Sequence, residues 1–466
     1  MWKFTFIEIV ISCVTILTVL YYYSVTKHSY WRRKNVAGPK PLPIFGNFLD
    51  VVFMKTSLAE KLCDFYQVWK HFFVKDFTTF TDRGLLVNEG VDPLSQHLFA
   101  IDSHRWRRLR NKLSPVFTSG KLKQMYHLLC ECADHFEKYV IDLAAKGDPI
   151  ECKEITAKFT TDVIGSCAFG INMNALTSED SEFRNMGRKV FAPSFKDGVV
   201  RTIRESLPVL FKFLKIRMIS REITAFFVNS TAETISYRMK HDIVRKNSDQ
   251  IDFELTDELI AAQFFVFFFA GSATPATAIS FALYELAQNE GIQDKLRDEI
   301  QEALKAHNGS LPFKAIKDLK YLDKVFQETL RKHPPVPFLT RRCVNDYTIP
   351  DTTVHIPSGT KIFVPVLGLH YDPQYFPDAE VFDPERFAAE AVQKRPAMAY
   401  LPFGDGPRNC IGARFAIYQT KMGIINILKN CKVSICSKTK IPYEIERTTF
   451  GLAPVGGIYL NFTNLS

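Results

Sequence analysis

Phe403-Gly404-Asp405-Gly406-Pro407-Arg408-Asn409-Cys410-Ile411-Gly412 predicts a tight loop that presents one cysteine. Gly404, Gly406 and Gly412 admit backbone conformations closed to other residues, and Pro407 stiffens the turn. The run Ile411-Gly412-Ala413-Arg414-Phe415-Ala416-Ile417-Tyr418-Gln419-Thr420-Lys421 is a good helix former. Cys410 should therefore stand just ahead of a helix N-terminus, where the dipole and free amides favour a thiolate. A thiolate is what a soft metal ligand or an electron donor requires. A lone cysteine is more commonly a buried, inert side chain in a turn, so the neighbouring residues have to decide.

The whole string resembles the haem-binding loop of the cytochrome P-450 (haem-thiolate monooxygenase) family, in its Phe, two Gly, Arg, Cys and final Gly. The resemblance makes Cys410 the proximal ligand of haem iron, sets Arg408 against a haem propionate and packs Phe403 under the ring. A thiolate ligand pushes electron density toward iron and favours O–O cleavage. The implied fold is mainly α with a small β region, a triangular helical prism behind an N-terminal transmembrane helix. The implied cofactor is haem b, with O2 as co-substrate and NADPH as the indirect electron source.

Further segments carry the same resemblance. Trp106 and Arg110 share a helix face at i, i+4, and Arg341 follows Pro337-Phe338-Leu339-Thr340; all three are implied propionate partners. Glu328 and Arg331, at i, i+3 on a helix stopped by His333-Pro334-Pro335, resemble the family's buried Glu-Arg-Arg cluster, completed by Arg386 in Pro384-Glu385-Arg386-Phe387. As an isolated helix pair, Glu328 and Arg331 would be an ordinary surface ion pair.

Residues 259–284 carry no charge, so by length alone they could cross a bilayer. Gln263, Ser272, Thr274, Thr277 and Ser280, and the absence of a flanking basic cluster, favour a buried central helix instead. Within it, Ala270-Gly271-Ser272-Ala273-Thr274 resembles the oxygen-binding bend. Pro275 has no N–H and its ring crowds the Gly271 carbonyl, so the helix is expected to open at Gly271 beside the small Ala270. Thr274 can relay a proton through its hydroxyl. The family places a carboxylate just before that threonine; Ala273 stands here, which should slow or uncouple proton delivery.

The chain of 466 residues can bury a large core, and its 40 phenylalanines suit an aromatic-lined interior. A net charge of +9 fits membrane headgroups or an acidic protein, and on charge alone a nucleic acid. The resemblance carries no nucleic-acid partner. The ten cysteines are scattered, against a zinc ribbon or disulfide framework and in keeping with a reducing compartment.

The apolar run 4–25 is long enough to span a bilayer, and Lys27, Arg32, Arg33 and Lys34 after it place the remainder in the cytosol. The expected organisation is an anchor over 1–26, a basic, proline-rich linker over 27–47 and a haem-binding catalytic domain over 48–466, at the endoplasmic reticulum membrane. No GxGxxG fingerprint is present, so electrons must arrive from a separate flavoprotein reductase. Arg105, Arg107, Arg108, Lys112, Lys121 and Lys123 form the implied docking face, with cytochrome b5 a further candidate partner. Helices are expected over 57–69, 121–146, 154–169 and 321–332, and strands over 361–365 and within 445–462.

Two segments depart from the family. About 25–35 residues of strand hairpin and helix are missing between Tyr66 and Trp69, before Val74-Lys75-Asp76-Phe77, and another helix is missing between Ile243-Val244-Arg245-Lys246 and Leu255. Such losses should expose a sheet edge. In detail the chain is similar to the insect microsomal xenobiotic-oxidising branch, which implies hydroxylation or epoxidation of lipophilic compounds. A haem-thiolate protein without oxygenase turnover, such as a peroxide isomerase, and an inactive shortened variant are the alternatives.

Overall fold

A computed structural model describes residues 6–34, 40–42, 46–47, 49–64, 79–192, 195–241, 256–349, 353–447, 449 and 451–465. The helices that frame the site are α1 (Phe6–His28), α2 (Ser103–Leu113), α3 (Ser119–Ala145), α4 (Cys152–Ile164), α5 (Phe195–Ser206), α6 (Pro208–Phe213), α7 (Arg221–Lys240), α8 (Asp257–Gln288), α9 (Lys320–Lys332) and α10 (Ala413–Leu428). Side chains start several of them. Asp102 accepts from the His104 and Arg105 amides to begin α2, and the Thr256 hydroxyl accepts from the Leu259 amide to begin α8.

The β structure is small. Strands β1 (Ile150–Glu151), β7 (Tyr459–Asn464) and β6 (Cys431–Ile435) form one antiparallel sheet in that order. Two ladders pair β2 (Leu339–Arg342) with β5 (Lys361–Val364) and β3 (Tyr347–Thr348) with β4 (His355–Ile356). Arg341 faces Ile362 across the β2–β5 register. Among the described residues this ladder is two-stranded, joined on the outer side of β2 only by short contacts from Asp82 and Thr79.

Both α1 and α8 are long and apolar enough to cross a membrane, but they sit in opposite surroundings. Leu17, Val19 and Tyr22 of α1 are exposed. By contrast, α8 runs through the centre and buries Phe264, Phe268, Ile279 and Leu286, as the polar side chains along it require. Three helices are bolted together there. The Thr156 hydroxyl of α4 meets the Ala276 carbonyl and Ser280 hydroxyl of α8, Thr160 donates to the Ser272 carbonyl, and Gln419 of α10 donates to the Thr160 carbonyl. Gly423 of α10 lies so close to α8 that a Cβ there would stand 2.5 Å from Ile279 Cδ1.

The expected helices recur with shifted ends. The 57–69 helix is described only over Leu58–Asp64, and its remainder lies outside the described residues. The 154–169 helix is α4 followed by a widened π turn, Gly165–Phe169, that ends at left-handed Gly170. Strand β5 is as expected, and of 445–462 only an Ile445–Pro454 bridge and β7 are extended pairs. Both shortened segments, with Val74-Lys75-Asp76-Phe77, fall outside the described residues.

Candidate haem-thiolate site

Gly404 and Gly406 take left-handed φ values of 67° and 71°, which close the loop so that the Cys410 amide reaches the Phe403 carbonyl at 2.9 Å. The loop is seated on two apolar clusters that include α8. Phe403 packs against the one formed by Ala278 with Phe326 and Leu330 of α9, and Ile411 against the one formed by Trp106, Leu109 and Leu259. Cys410 lies on the accessible side of the loop, two residues before the Gly412 cap of α10.

The side chain keeps accessible surface, but the protein packed around the sulfur desolvates it and pushes the thiol up, against the pull of the Gly412 amide, Arg110 and Arg83. The expected helix-terminus effect exists as the Gly412 amide bond, but the protein alone does not favour a thiolate. Coordination to a metal deprotonates a thiol outright, so the group that binds here has to supply that step.

Four guanidinium groups surround the loop. Arg408 is 2% exposed; its Nε donates to the Thr81 carbonyl at 2.8 Å, and its guanidinium lies 4.2 Å from the centre of the Trp106 ring. Its Nη1 is buried without a partner. Arg110 donates to both the carbonyl and the side-chain oxygen of Asn409. Arg341 is buried and donates from Nη1 to the Thr340 carbonyl.

The fourth group, Arg83, escaped the sequence reading. Its nitrogens donate to the carbonyls of Phe99 (3.1 Å) and Arg408 (3.0 Å), and its guanidinium stacks 3.9 Å from the Phe99 ring. Nothing in its sequence neighbourhood marks it, because its partners are remote in the chain.

Burial holds all four guanidinium groups below the ordinary arginine range, Arg408 at about 9. At Arg83 repulsion from Arg408, Arg341 and Arg110 adds to the effect. Among the described residues none of the four forms an ion pair with a carboxylate. A crowd of cations, Arg341 and Arg408 buried and Arg83 and Arg110 partly so, with an unpartnered nitrogen on Arg408, calls for an anion. With an accessible thiol beside it, the donor set fits a flat, dicarboxylate group with a central soft-ligated metal, as haem b is.

On α8 the accessible side chains fall between residues 266 and 274, within a helix otherwise buried from 261 to 286. Ala270 is exposed, and Gly271, Ala273 and Thr274 are partly so, while Ser272 is buried and bonded to the Phe268 carbonyl. The Thr274 hydroxyl donates to the Ala270 carbonyl at 2.8 Å.

The expected opening at Gly271 does not occur: α8 is continuous through Pro275. One missing amide bond is tolerated because packing on α4 and α10 holds both halves in line. Gly271 instead answers a steric demand, since a Cβ there would stand 2.4 Å from Ile164 Cδ1.

Glu328 and Arg331 are fully buried and paired through two bonds of 2.8 and 2.6 Å, and Arg331 also donates to the carbonyls of His370 and Ala379. Arg386 stands 3.5 Å from Glu328 and spends its other nitrogens on the carbonyls of Pro377 and Asp378.

The link from this cluster to the cysteine loop is His370, another residue the sequence did not mark. Its Nε2 accepts from the Leu401 amide, so its Nδ1 carries the proton and donates to the Arg331 carbonyl. Burial holds this imidazole neutral, down at about 3.

Comparison with known proteins bears on this arrangement. A family model described as Cytochrome P450 matches residues 62–461. Probable cytochrome P450 6a14 of Drosophila melanogaster is 38% identical over 498 aligned positions, covering 96% of this chain and 97% of that protein. Cytochrome P450 6k1 of Blattella germanica is 38% identical over 508, covering 98% and 97%. Cytochrome P450 6A1 of Musca domestica is 36% identical over 474, covering 93% of each. All three alignments are longer than the chain of 466 residues, so those relatives carry residues opposite gaps in it. With this similarity along nearly its whole length, the chain belongs to the cytochrome P450 family and is similar to insect members of its group 6.

Proposed function

We propose that this cytochrome P450 monooxygenase oxidises lipophilic small molecules (xenobiotics, plant toxins, insecticides or endogenous lipids), with Cys410 as the axial ligand of haem iron. As a family member it works with haem b, O2 and NADPH-derived electrons passed on by a reductase. The bound haem supplies the oxygen-activating chemistry. Arg83, Arg110, Arg341 and Arg408, with Trp106, would hold its carboxylates, each bond relieving the mutual repulsion of the cations. Phe403 seats the loop on the cluster shared by α8 and α9, and the Gly412 amide with Arg110 and Arg83 favours negative charge on sulfur. Ala270 and Gly271 keep the facing surface of α8 low, and Thr274 holds a proton at Oγ1 beside it. Glu328, Arg331 and Arg386 brace the loop from behind.

Phe227, Phe265, Phe268 and Phe269 pack ring against ring where α7 meets α8. Phe227, Phe265 and Phe268 are thereby buried as core, and a lipophilic substrate is supported by the similarity to insect members of group 6. An anchor over 1–26, a linker over 27–47 and a catalytic domain over 48–466 follow from the exposed apolar α1 and the basic residues after it, with the domain on the cytosolic face of the endoplasmic reticulum. The exposed Arg107, Arg108, Lys112 and Lys123 suit an acidic reductase, and cytochrome b5 by the same charge argument. Arg105 does not belong to that face, because Glu89 and Asp102 neutralise it.

The observation that carries the reading is the convergence, on a loop with one accessible thiol, of four guanidiniums that form no ion pair with a carboxylate among the described residues. The test is the carbon-monoxide difference spectrum of the reduced protein in microsomes. A strongly red-shifted Soret band that Cys410→Ser abolishes is expected; the band of a neutral ligand in the parent protein would overturn the assignment. A second reading, haem-thiolate chemistry without oxygenase turnover, is favoured by Ala273, which leaves no carboxyl beside Thr274.

A further inference from the structure

One side chain of α8 fixes the backbone on both sides of His97. Gln263 Oε1 accepts from the Leu98 amide at 2.8 Å, and Gln263 Nε2 donates to the Gln96 carbonyl at 3.3 Å. The His97 carbonyl then closes the turn that follows, accepting from the amides of Ala100 and Ile101 at 2.9 and 3.0 Å. The imidazole packs beside the rings of Phe99 and Phe265, with centroids 6.3 and 6.2 Å away. The residue as a whole is only partly buried, but its Nδ1 is buried without a hydrogen-bond partner. An unpaired buried polar atom costs free energy in either tautomer, so a fold that holds one in a fixed place suits a group that will pair with it.

The turn that His97 opens belongs to the guanidinium cradle. The Phe99 carbonyl accepts from Arg83 Nη1 at 3.1 Å, and the Ile101 carbonyl accepts from Arg408 Nη2 at 3.5 Å. Arg83 is the charged group that faces the imidazole, while α8 meets it with the ring of Phe265. Burial and repulsion from Arg83 hold the ring neutral, down at about 4. A neutral imidazole has one N–H to give and adds no repulsion to the cations around it. An anion with two acceptor oxygens relieves Arg83 and pairs the imidazole at the same time. A lipophilic substrate brings no such charge; a carboxylate of haem b does.

Resting on the haem-thiolate reading of the site, we infer that His97 is a further donor to the haem, giving a hydrogen bond from Nδ1–H to the carboxylate that Arg83 pairs with. Arg83 supplies the charge and His97 a second, neutral bond to the same group. Gln263 thereby couples the seating of that haem edge to α8, the helix that carries Thr274.

The test uses the full-length, haem-loaded protein with His97→Phe, which keeps an aromatic ring without a donor, and His97→Asn, which returns an N–H at the position of Nδ1. The readouts are the rate of haem transfer from the ferric protein to excess apomyoglobin and the propionate-bending band in the resonance Raman spectrum. His97→Phe is expected to lose haem about ten-fold faster, the worth of one hydrogen bond to a charged group, and to shift the band. His97→Asn is expected to recover much of both. If His97→Phe does not fold, His97→Ala, which leaves a gap in place of the ring, carries the same expectation. Parent-like haem loss with an unmoved band overturns the inference. Faster loss that His97→Asn does not rescue, again with an unmoved band, marks a merely structural role and overturns it too. So does a change confined to the affinity for an added lipophilic ligand, read from the Soret shift, which assigns the ring to substrate. These outcomes leave the haem-thiolate reading standing, whereas a parent protein without the red-shifted carbon-monoxide band overturns both.

Discussion

Arg110 holds Asn409 at both ends: one guanidinium nitrogen donates to its carbonyl and another to its side-chain oxygen, each at 2.9 Å, across 299 positions of sequence. The residue before the cysteine is therefore fixed from outside the loop, by α2. Arg110→Met removes both bonds and one cation. Loss of such bonds to a charged group costs about 1.5–3 kcal/mol each at most, less at this partly exposed position. The expected outcome is a clear drop in haem-loaded fraction by the carbon-monoxide spectrum, with Asn409→Ala, which keeps the carbonyl bond, falling between variant and parent.

The Glu328–Arg331 pair has no solvent to fall back on. Arg331→Lys leaves the carboxylate without its fork and strands the carbonyls of His370 and Ala379. Breaking a buried pair by one partner costs about 3–5 kcal/mol. Urea unfolding should show a midpoint shift of that size, or no folded protein at all.

His370 predicts a pH dependence. Its folded value of about 3 lies below the ordinary 6.5, so the unfolded chain takes up the proton first. Stability is then fully present above about pH 6.5 and is lost as pH falls below it, by about 2 kcal/mol at pH 5. His370→Gln keeps an acceptor for Leu401 but cannot titrate. Its unfolding midpoint should be lower than the parent's at pH 7.5 and should lack this part of the decline toward pH 5; parallel curves for the two proteins would count against the assignment.

Ala273→Glu restores a carboxyl beside Thr274. If proton delivery limits the parent, product formed per NADPH consumed should rise several-fold, as general acids commonly contribute at least that much. An unchanged ratio would remove Ala273 as the cause and weaken the reading without oxygenase turnover.

Gly271→Ala drives a methyl into Ile164, and overpacking of this kind costs about 1–3 kcal/mol. Adding Ile164→Ala clears the nearest atoms, 2.4 and 2.7 Å from the new Cβ. The thermal midpoint should fall with the first substitution and partly recover with the second.

The cysteine loop was legible because its chemistry and its turn residues lie together in ten positions. The central helix was legible through its length and its scattered hydroxyls. Arg83 and His370 were not, since each acts on main-chain groups brought near only by the folded chain, and neither hydrogen bonds nor burial leave a periodic trace. The opening at Gly271 was misjudged for a related reason: Pro275 is a local signal, while the packing that overrides it comes from Ile164, over a hundred residues earlier. The cysteine's acidity was misread likewise, since the helix terminus is local and the desolvation is not.

Gly423 carries a consequence for the dimensions of the active centre. The helix behind the cysteine loop touches the helix that bears Thr274 through the missing side chain at this position, with Ile279 pressed into the gap. The clearance between the sulfur-bearing loop and the threonine hydroxyl is thereby inherited from the scaffold, like the opening of a vice set by its screw. A single added carbon at residue 423, on the far side from any reactant, would act as a wedge and change that clearance while leaving every reactive group chemically intact.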